Sequence, residues 1–161
     1  MDKAVKRVMG IDPGTGWMGW AIVEGNRAKQ MLVACGCVET KPNTKQSLRL
    51  MEIDRSIDEL IHEHKPDEAA VESLFYFKNA KTVISVAEAR GAIVVALQRA
   101  GLPVADYTPL QVKQSVTGYG RADKKQVETM VKNILKLKAL PKQLDDAMDA
   151  VAVALTHLFM S

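Results

Sequence analysis

The chain has 161 residues, 47% apolar and 25% charged, with a formal net charge of +3. That length predicts one domain over residues 1–161 with its own buried core, and the composition excludes a disordered or low-complexity chain. No apolar run approaches the roughly 18 residues of a membrane span, and the apolar stretch behind the basic start is too short for a signal peptide, broken as it is by Asp12 and Pro13; a cytoplasmic protein is expected.

Val5–Asp12 is apolar near its end and stops at Pro-Gly, which predicts a buried strand running into a turn. Trp17–Glu24 follows as a second strand, Gly25-Asn26 as a turn, and Ala28–Glu39 as a third strand. Three strands with short connections predict an antiparallel meander. Cys35 and Cys37 lie on the third strand, two apart, so they point the same way. No second Cys pair completes a zinc site, so they are expected to be ordinary thiols.

Leu50, Ile53, Ile57, Leu60 and Ile61 then recur at helical spacing until Pro66 stops the run. Glu68–Glu72 predicts a short strand that can lie parallel to the first. A helix is expected from about Asn79 to Ala100, with Gly101 in the left-handed cap position. Its second half, GAIVVAL, is apolar nearly all round and predicts burial on more than one side, one side being available to a partner subunit. Pro103–Tyr107 reads as a fifth strand. Thr108-Pro109-Leu110-Gln111 has the form of a capping box opening a short helix. After a loop at 118–121, Val127, Met130, Val131, Ile134 and Leu135 define an amphipathic helix that ends before Pro141. Gln143–Phe159 is the last helix, with Leu144, Met148, Val151, Leu155 and Leu158 on one face. The order β-β-β-α-β-α-β-α-α-α predicts an α/β fold, a mixed sheet with helices on both faces.

Four carboxylates stand out by position. Asp12 ends the first strand and Glu72 the fourth, where such sheets place their ligands. Asp146 and Asp149 are three apart near the start of the last helix, so their side chains are neighbours. Grouped carboxylates favour a cation between them, and hard oxygen donors suit Mg²⁺ or Mn²⁺. Each residue also has a plainer reading. Asp12 before Pro-Gly is a turn former, Glu72 can simply end a strand, and Asp145, Asp146 and Asp149 complement a helix dipole. Spacing alone leaves open whether Asp145 or Asp146 pairs with Asp149.

Charge is unevenly spread. From Glu52 to Glu72 eight acids stand against Arg55 and Lys65; from Lys113 to Lys142 eight bases stand against Asp123 and Glu128. A basic third fits a polyanion on one face, as it fits a solvated helix surface. Lys113 and Lys124 are candidates to hold phosphates. Phe75-Tyr76-Phe77 adjoins Glu72 in a chain that is only 5% aromatic; rings there either stack on bases or fill the core. GIDPGTG is a glycine turn that also suits a small ATPase, although no G-K-[ST] follows and the chain is too short for a second lobe.

GIDPGTGWMGWAIV, AAVESLFYFKNAKTV, EARGAIVVAL, QVKQSVTGYGRADKKQV and DDAMDAVAVALTH together resemble, in order and over essentially the whole chain, the signatures of the RuvC family of Holliday-junction resolvases. The resemblance implies a ribonuclease-H-like fold with a five-stranded mixed sheet. It implies a homodimer that binds four-way junction DNA at the nucleoid and nicks two strands of like polarity. The reaction it implies is Mg²⁺-dependent, with Mn²⁺ as a substitute and two ions per site, leaving 5′-phosphate and 3′-hydroxyl ends. By motif, Asp12, Glu72, Asp146 and Asp149 match the catalytic, metal-binding carboxylates, which places Asp145 outside the set. Some relatives carry His where Asp146 stands. Lys113 and Lys124 match basic residues at the scissile phosphate, and Phe75 matches an aromatic that stacks on junction bases. RuvA and RuvB are the partners the resemblance implies.

Overall fold

In the computed structural model, residues 4–73, 80–138 and 142–161 are described; for Ala80, Lys142 and Asp146 the description covers the backbone only. These residues form strands β1 (Lys6–Asp12), β2 (Trp17–Gly25), β3 (Gln30–Glu39), β4 (Glu68–Glu72) and β5 (Val104–Tyr107). The helices are α1 (Gln46–His64), α2 (Ala80–Arg99), α3 (Pro109–Thr117), α4 (Lys124–Ile134) and α5 (Lys142–Met160). The expected order is reproduced.

The strands make one five-stranded sheet in the order β3-β2-β1-β4-β5. β1 pairs antiparallel with β2, placing Asp12 opposite Gly19, and parallel with β4, placing Ile11 opposite Val71. β4 pairs parallel with β5, with Glu72 opposite Tyr107. The meander and the parallel strands therefore meet at β1, as the sequence predicts.

Side-chain alternation divides the sheet into two faces. Met9, Ile11, Met18, Ile22, Ala69 and Val71 pack against Ile53 and Ile57 of α1 and Ile93 and Leu97 of α2. Val8, Ala21, Val23 and Ala70 pack against α3, α4 and α5, with Leu144, Val151, Leu155 and Leu158 fully or almost fully buried. Each such side chain contributes about 1.5–3 kcal/mol of transfer free energy. Gly10 lets α5 ride directly on β1. A Cβ there would overlap the Ala150 carbonyl oxygen and come within 2.8 Å of the Ala154 Cβ.

Local chemistry fixes the ends of the elements. Thr108 and Asp123 N-cap α3 and α4 in full capping boxes, with Gln111 and Gln126 returning the second bond. Asp123, one of the two acids within the basic third, is thus committed to a helix start. Gly101 and Gly118 take left-handed conformations at helix ends. Cys35 and Cys37 are not joined in a disulfide, and burial pushes the Cys35 thiol up. Within this chain α2 is buried on part of its surface. Ala89, Ile93, Ala96 and Leu97 are buried, but Ile84 is 64% and Val95 60% exposed. The helix buries one side within this chain and leaves apolar side chains on the other open.

Candidate active site

Three carboxylates converge beyond the carboxyl ends of the central parallel strands. Val8, Gly10 and Asp12 share the β1 face that meets α5, and Ala70 and Glu72 share the corresponding face of β4. Asp12 and Glu72 each lie one step beyond the paired residues Ile11 and Val71, so they are neighbours across the strand pair. The close packing of α5 on Gly10 brings Asp149, one residue before Ala150, to the same level.

The electrostatics of the three are mutual. Burial first, and then the Asp149 charge, push Asp12 from 3.8 to about 6; a hydrogen bond from Glu72 and the Lys124 ammonium oppose the rise. Burial, followed by the charges of Asp12 and Asp149, pushes Glu72 from 4.5 to about 8, and Lys113 opposes it. Glu72 in its protonated form donates to Asp12, and a proton on Asp12 is shared onward with Asp149. This is the behaviour of like charges crowded in a partly dry site.

Lys113 of α3 and Lys124 of α4 therefore face the acids, one acting on Glu72 and the other on Asp12. Both come from helices packed against α5 through Val112, Val116, Val127 and Val131. Asp146 lies in the same part of α5 as Asp149, but its side chain is not among those described. Phe75, like Tyr76 and Phe77, falls outside the described residues. Asp145 is exposed.

Among the described residues, no three His, Cys, Asp or Glu side chains are gathered closely enough to enclose an ion by themselves. The donor set nevertheless fits a hard divalent cation. It consists of carboxylates whose burial and mutual repulsion raise Asp12 and Glu72, and a cation between them would offset both.

A polar hub behind the Asp12 turn has no counterpart in the sequence patterns. Thr15 is buried; its hydroxyl donates to the Ser85 carbonyl of α2 at 2.7 Å and accepts from the Ser85 hydroxyl at 2.7 Å. The Thr40 hydroxyl donates to the Thr15 carbonyl at 2.6 Å and accepts from Arg49 Nε at 2.8 Å. The turn that carries Asp12 is thereby tied to β3, α1 and α2. The local signal is a Thr two residues past Pro13, a common turn residue, and its partners are too remote in sequence to be anticipated.

A second chain of bonds spans the far end of α5. Tyr107 Oη meets His157 Nδ1 at 2.8 Å, His157 Nε2 meets Glu68 Oε2 at 2.6 Å, and Lys6 Nζ donates to Glu68 Oε1 at 2.6 Å. Lys6 and His157 hold the Glu68 carboxyl below its usual range. This ties the last turn of α5 to β4 and β5, at the opposite end from the acids.

A mixed sheet in this strand order, with acids at the ends of β1 and β4 and on the final helix, defines the class of ribonuclease-H-like nucleases. Comparison with known proteins narrows the class. The family model described as crossover junction endodeoxyribonuclease RuvC matches residues 8–157. A relative of that name from Syntrophomonas wolfei is 49% identical over 94% of this chain and 88% of its own. Another, from a Roseiflexus strain, is 46% identical over 95% and 90%. T. thermophilus RuvC, solved in complex with Holliday junction substrate, superimposes with a TM-score of 0.89 at 38% identity, over 96% of this chain and 94% of that one. The yeast mitochondrial Holliday junction resolvase Ydc2, at 14% identity and a TM-score of 0.71, shares the fold. The chain belongs to the RuvC family of crossover junction endodeoxyribonucleases.

Proposed function

We propose that this chain, as a single nuclease domain over residues 1–161, resolves four-way DNA junctions by paired symmetric nicks during recombination and repair. The observation that carries the reading is the convergence of Asp12 and Glu72, at the ends of neighbouring parallel strands, with Asp149 of α5, and with Lys113 and Lys124 facing them. Buried acids crowded in this way are stabilised by a divalent cation between them, and Glu72, pushed up to about 8, would give up its proton to one.

Asp12, Glu72, Asp146 and Asp149 would hold Mg²⁺, with Mn²⁺ as a substitute and two ions per site. When bound, such ions supply Lewis-acid activation of water and stabilisation of the leaving oxygen in an in-line displacement at phosphorus. The acids fix where the ions sit. Lys113 and Lys124 hold the scissile phosphate against the acids and neutralise part of its charge. Phe75 stacks on a base at the junction centre. The products carry 5′-phosphate and 3′-hydroxyl ends.

One such site cuts one strand, so paired nicks call for two copies of the chain. The open apolar side of α2, with Ile84 and Val95, supports a homodimer through that helix. The same reading places the enzyme in the cytoplasm, at the nucleoid, with RuvA and RuvB as its partners. Among the described residues, no helix is long and apolar enough to cross a membrane.

Cleavage assays test the reading. Wild-type protein with Mg²⁺ should cut a synthetic four-way DNA junction far faster than an RNA–DNA hybrid. Asp12→Asn should keep junction binding while losing about a hundredfold or more in cutting rate. Protein inert with both Mg²⁺ and Mn²⁺ would point to a junction-binding module, and preference for the hybrid to an RNA-directed nuclease. Tight ATP binding would favour the ATPase reading of GIDPGTG.

A further inference from the structure

Trp17 opens β2 on the rim of the candidate active site. Alternation along β2 puts it on the face of Gly19 and Ala21, the same face that carries Asp12 on β1. Asp12 pairs with Gly19, so Trp17 stands two residues further out along the same edge. It is 45% exposed. An indole left open beside the acids is outside both hydrophobic clusters of the fold.

The loop that leaves the end of β3 at this edge of the sheet is basic. Trp17 pairs with Glu39, the last residue of β3, and the Thr40 amide donates to the Gly16 carbonyl at 3.2 Å. The chain then runs through Lys41 to Lys45, both exposed, and into α1. Arg49, one turn into α1, reaches back to the Thr40 hydroxyl, and its guanidinium lies beside Gly16. Among the described residues, none of Lys41, Lys45 and Arg49 has a carboxylate partner, and Glu39 is the acid that stands among them. The Thr15–Ser85–Thr40 hydrogen bonds hold this turn rigid, so little order has to be imposed on binding.

Proteins hold unstacked nucleotides with an exposed ring, which takes a base face, and with cations further along the strand, which take phosphates. We infer that Trp17, with Lys41, Lys45 and Arg49, forms a second DNA contact, a stacking platform for a splayed nucleobase on the strand that passes the Asp12 turn. The inference rests on the junction-nuclease reading and adds to it a contact on the β2–β3 side of the acids, across the sheet from Glu72.

The test uses the full-length protein and a synthetic four-way junction in buffer free of divalent cations. The chain has two tryptophans, and Trp20 packs on His64 with ring centroids 5.4 Å apart. Junction binding should quench wild-type emission, and Trp17→Phe should remove that quenching while keeping affinity within about twofold, because phenylalanine still stacks. Trp17→Ala should bind roughly fivefold or more weakly. Lys41→Ala with Lys45→Ala should flatten the slope of log affinity against log salt by about 0.9 for each phosphate that the variant no longer neutralises. Wild-type binding without quenching, together with unchanged affinity of Trp17→Ala, would overturn this inference and leave the nuclease reading intact. Failure of the wild type to bind junctions would overturn both.

Discussion

Replacing Asp149 by Asn should make the metal-free protein more stable at alkaline pH. The amide keeps the shape of the carboxylate and removes a charge that raises both Asp12 and Glu72. At about 1.4 kcal/mol per pH unit, lifting Glu72 from 4.5 to about 8 means that its ionisation destabilises the fold by something on the order of 5 kcal/mol. Burial is the largest cause, and Asp12 and Asp149 follow it. One neighbouring charge in a partly solvated site contributes on the order of 1 kcal/mol, or about 2–4 °C in Tm for a chain of this size. Both folded-state values are raised, so between about pH 4 and pH 8 the native state binds more protons than the unfolded chain. Stability accordingly falls as pH rises through that window. Melting curves in EDTA should show the Asp149→Asn gain in full near pH 8.5 and shrinking towards zero near pH 4. Millimolar Mg²⁺ should stabilise the wild type more than the variant. A variant no more stable than wild type at pH 8.5, or a gain independent of pH, would refute the reasoning.

Gly10→Ala should destabilise the protein by about 1–3 kcal/mol in urea titrations, because the new Cβ overlaps the Ala150 carbonyl oxygen; pushing α5 off β1 should also lower junction cleavage by more than the unfolded fraction explains. Lys113→Ala and Lys124→Ala should each weaken junction binding alike across sequences and reduce the salt slope by about one, read by fluorescence anisotropy at several salt concentrations. Glu68→Gln should cost about 1–2 kcal/mol at pH 7 by weakening the bonds to Lys6 and His157. The folded-state value of Glu68 is lowered, so its contribution is present above about pH 4.5 and is lost as pH falls through that lower value. Wild type and Glu68→Gln should therefore converge in stability on acidification, and parallel curves would count against the network.

Much of the fold was legible because its signals are local. Pro13 and Gly14 end β1, the Thr108 capping box opens α3, and helical periodicity marks α1 and α5 in the sequence itself. The side-by-side placement of Asp12 and Glu72 followed from their positions at the ends of neighbouring parallel strands. Residue spacing could not bring α5 to them. That depends on Gly10 accepting the Ala150 backbone, a contact between residues 140 positions apart, and it was the motif resemblance that chose Asp146 over Asp145 as the partner of Asp149. Helical periodicity marked α2 as apolar nearly all round without telling which side the sheet takes, since an apolar surface left open in the chain looks the same in sequence as a core. The Thr15 hub and the Tyr107–His157–Glu68 chain were not foreseen, because each joins polar residues scattered along the sequence.

Cleavage of a four-way junction with a movable crossover, mapped on sequencing gels in Mg²⁺, tests the central claim most directly. Nicks are expected at symmetric positions on two strands of like polarity, with 5′-phosphate and 3′-hydroxyl ends, and Asp149→Asn should abolish them. Cutting at unrelated positions on single strands, or cutting retained in Asp149→Asn, would contradict the claim.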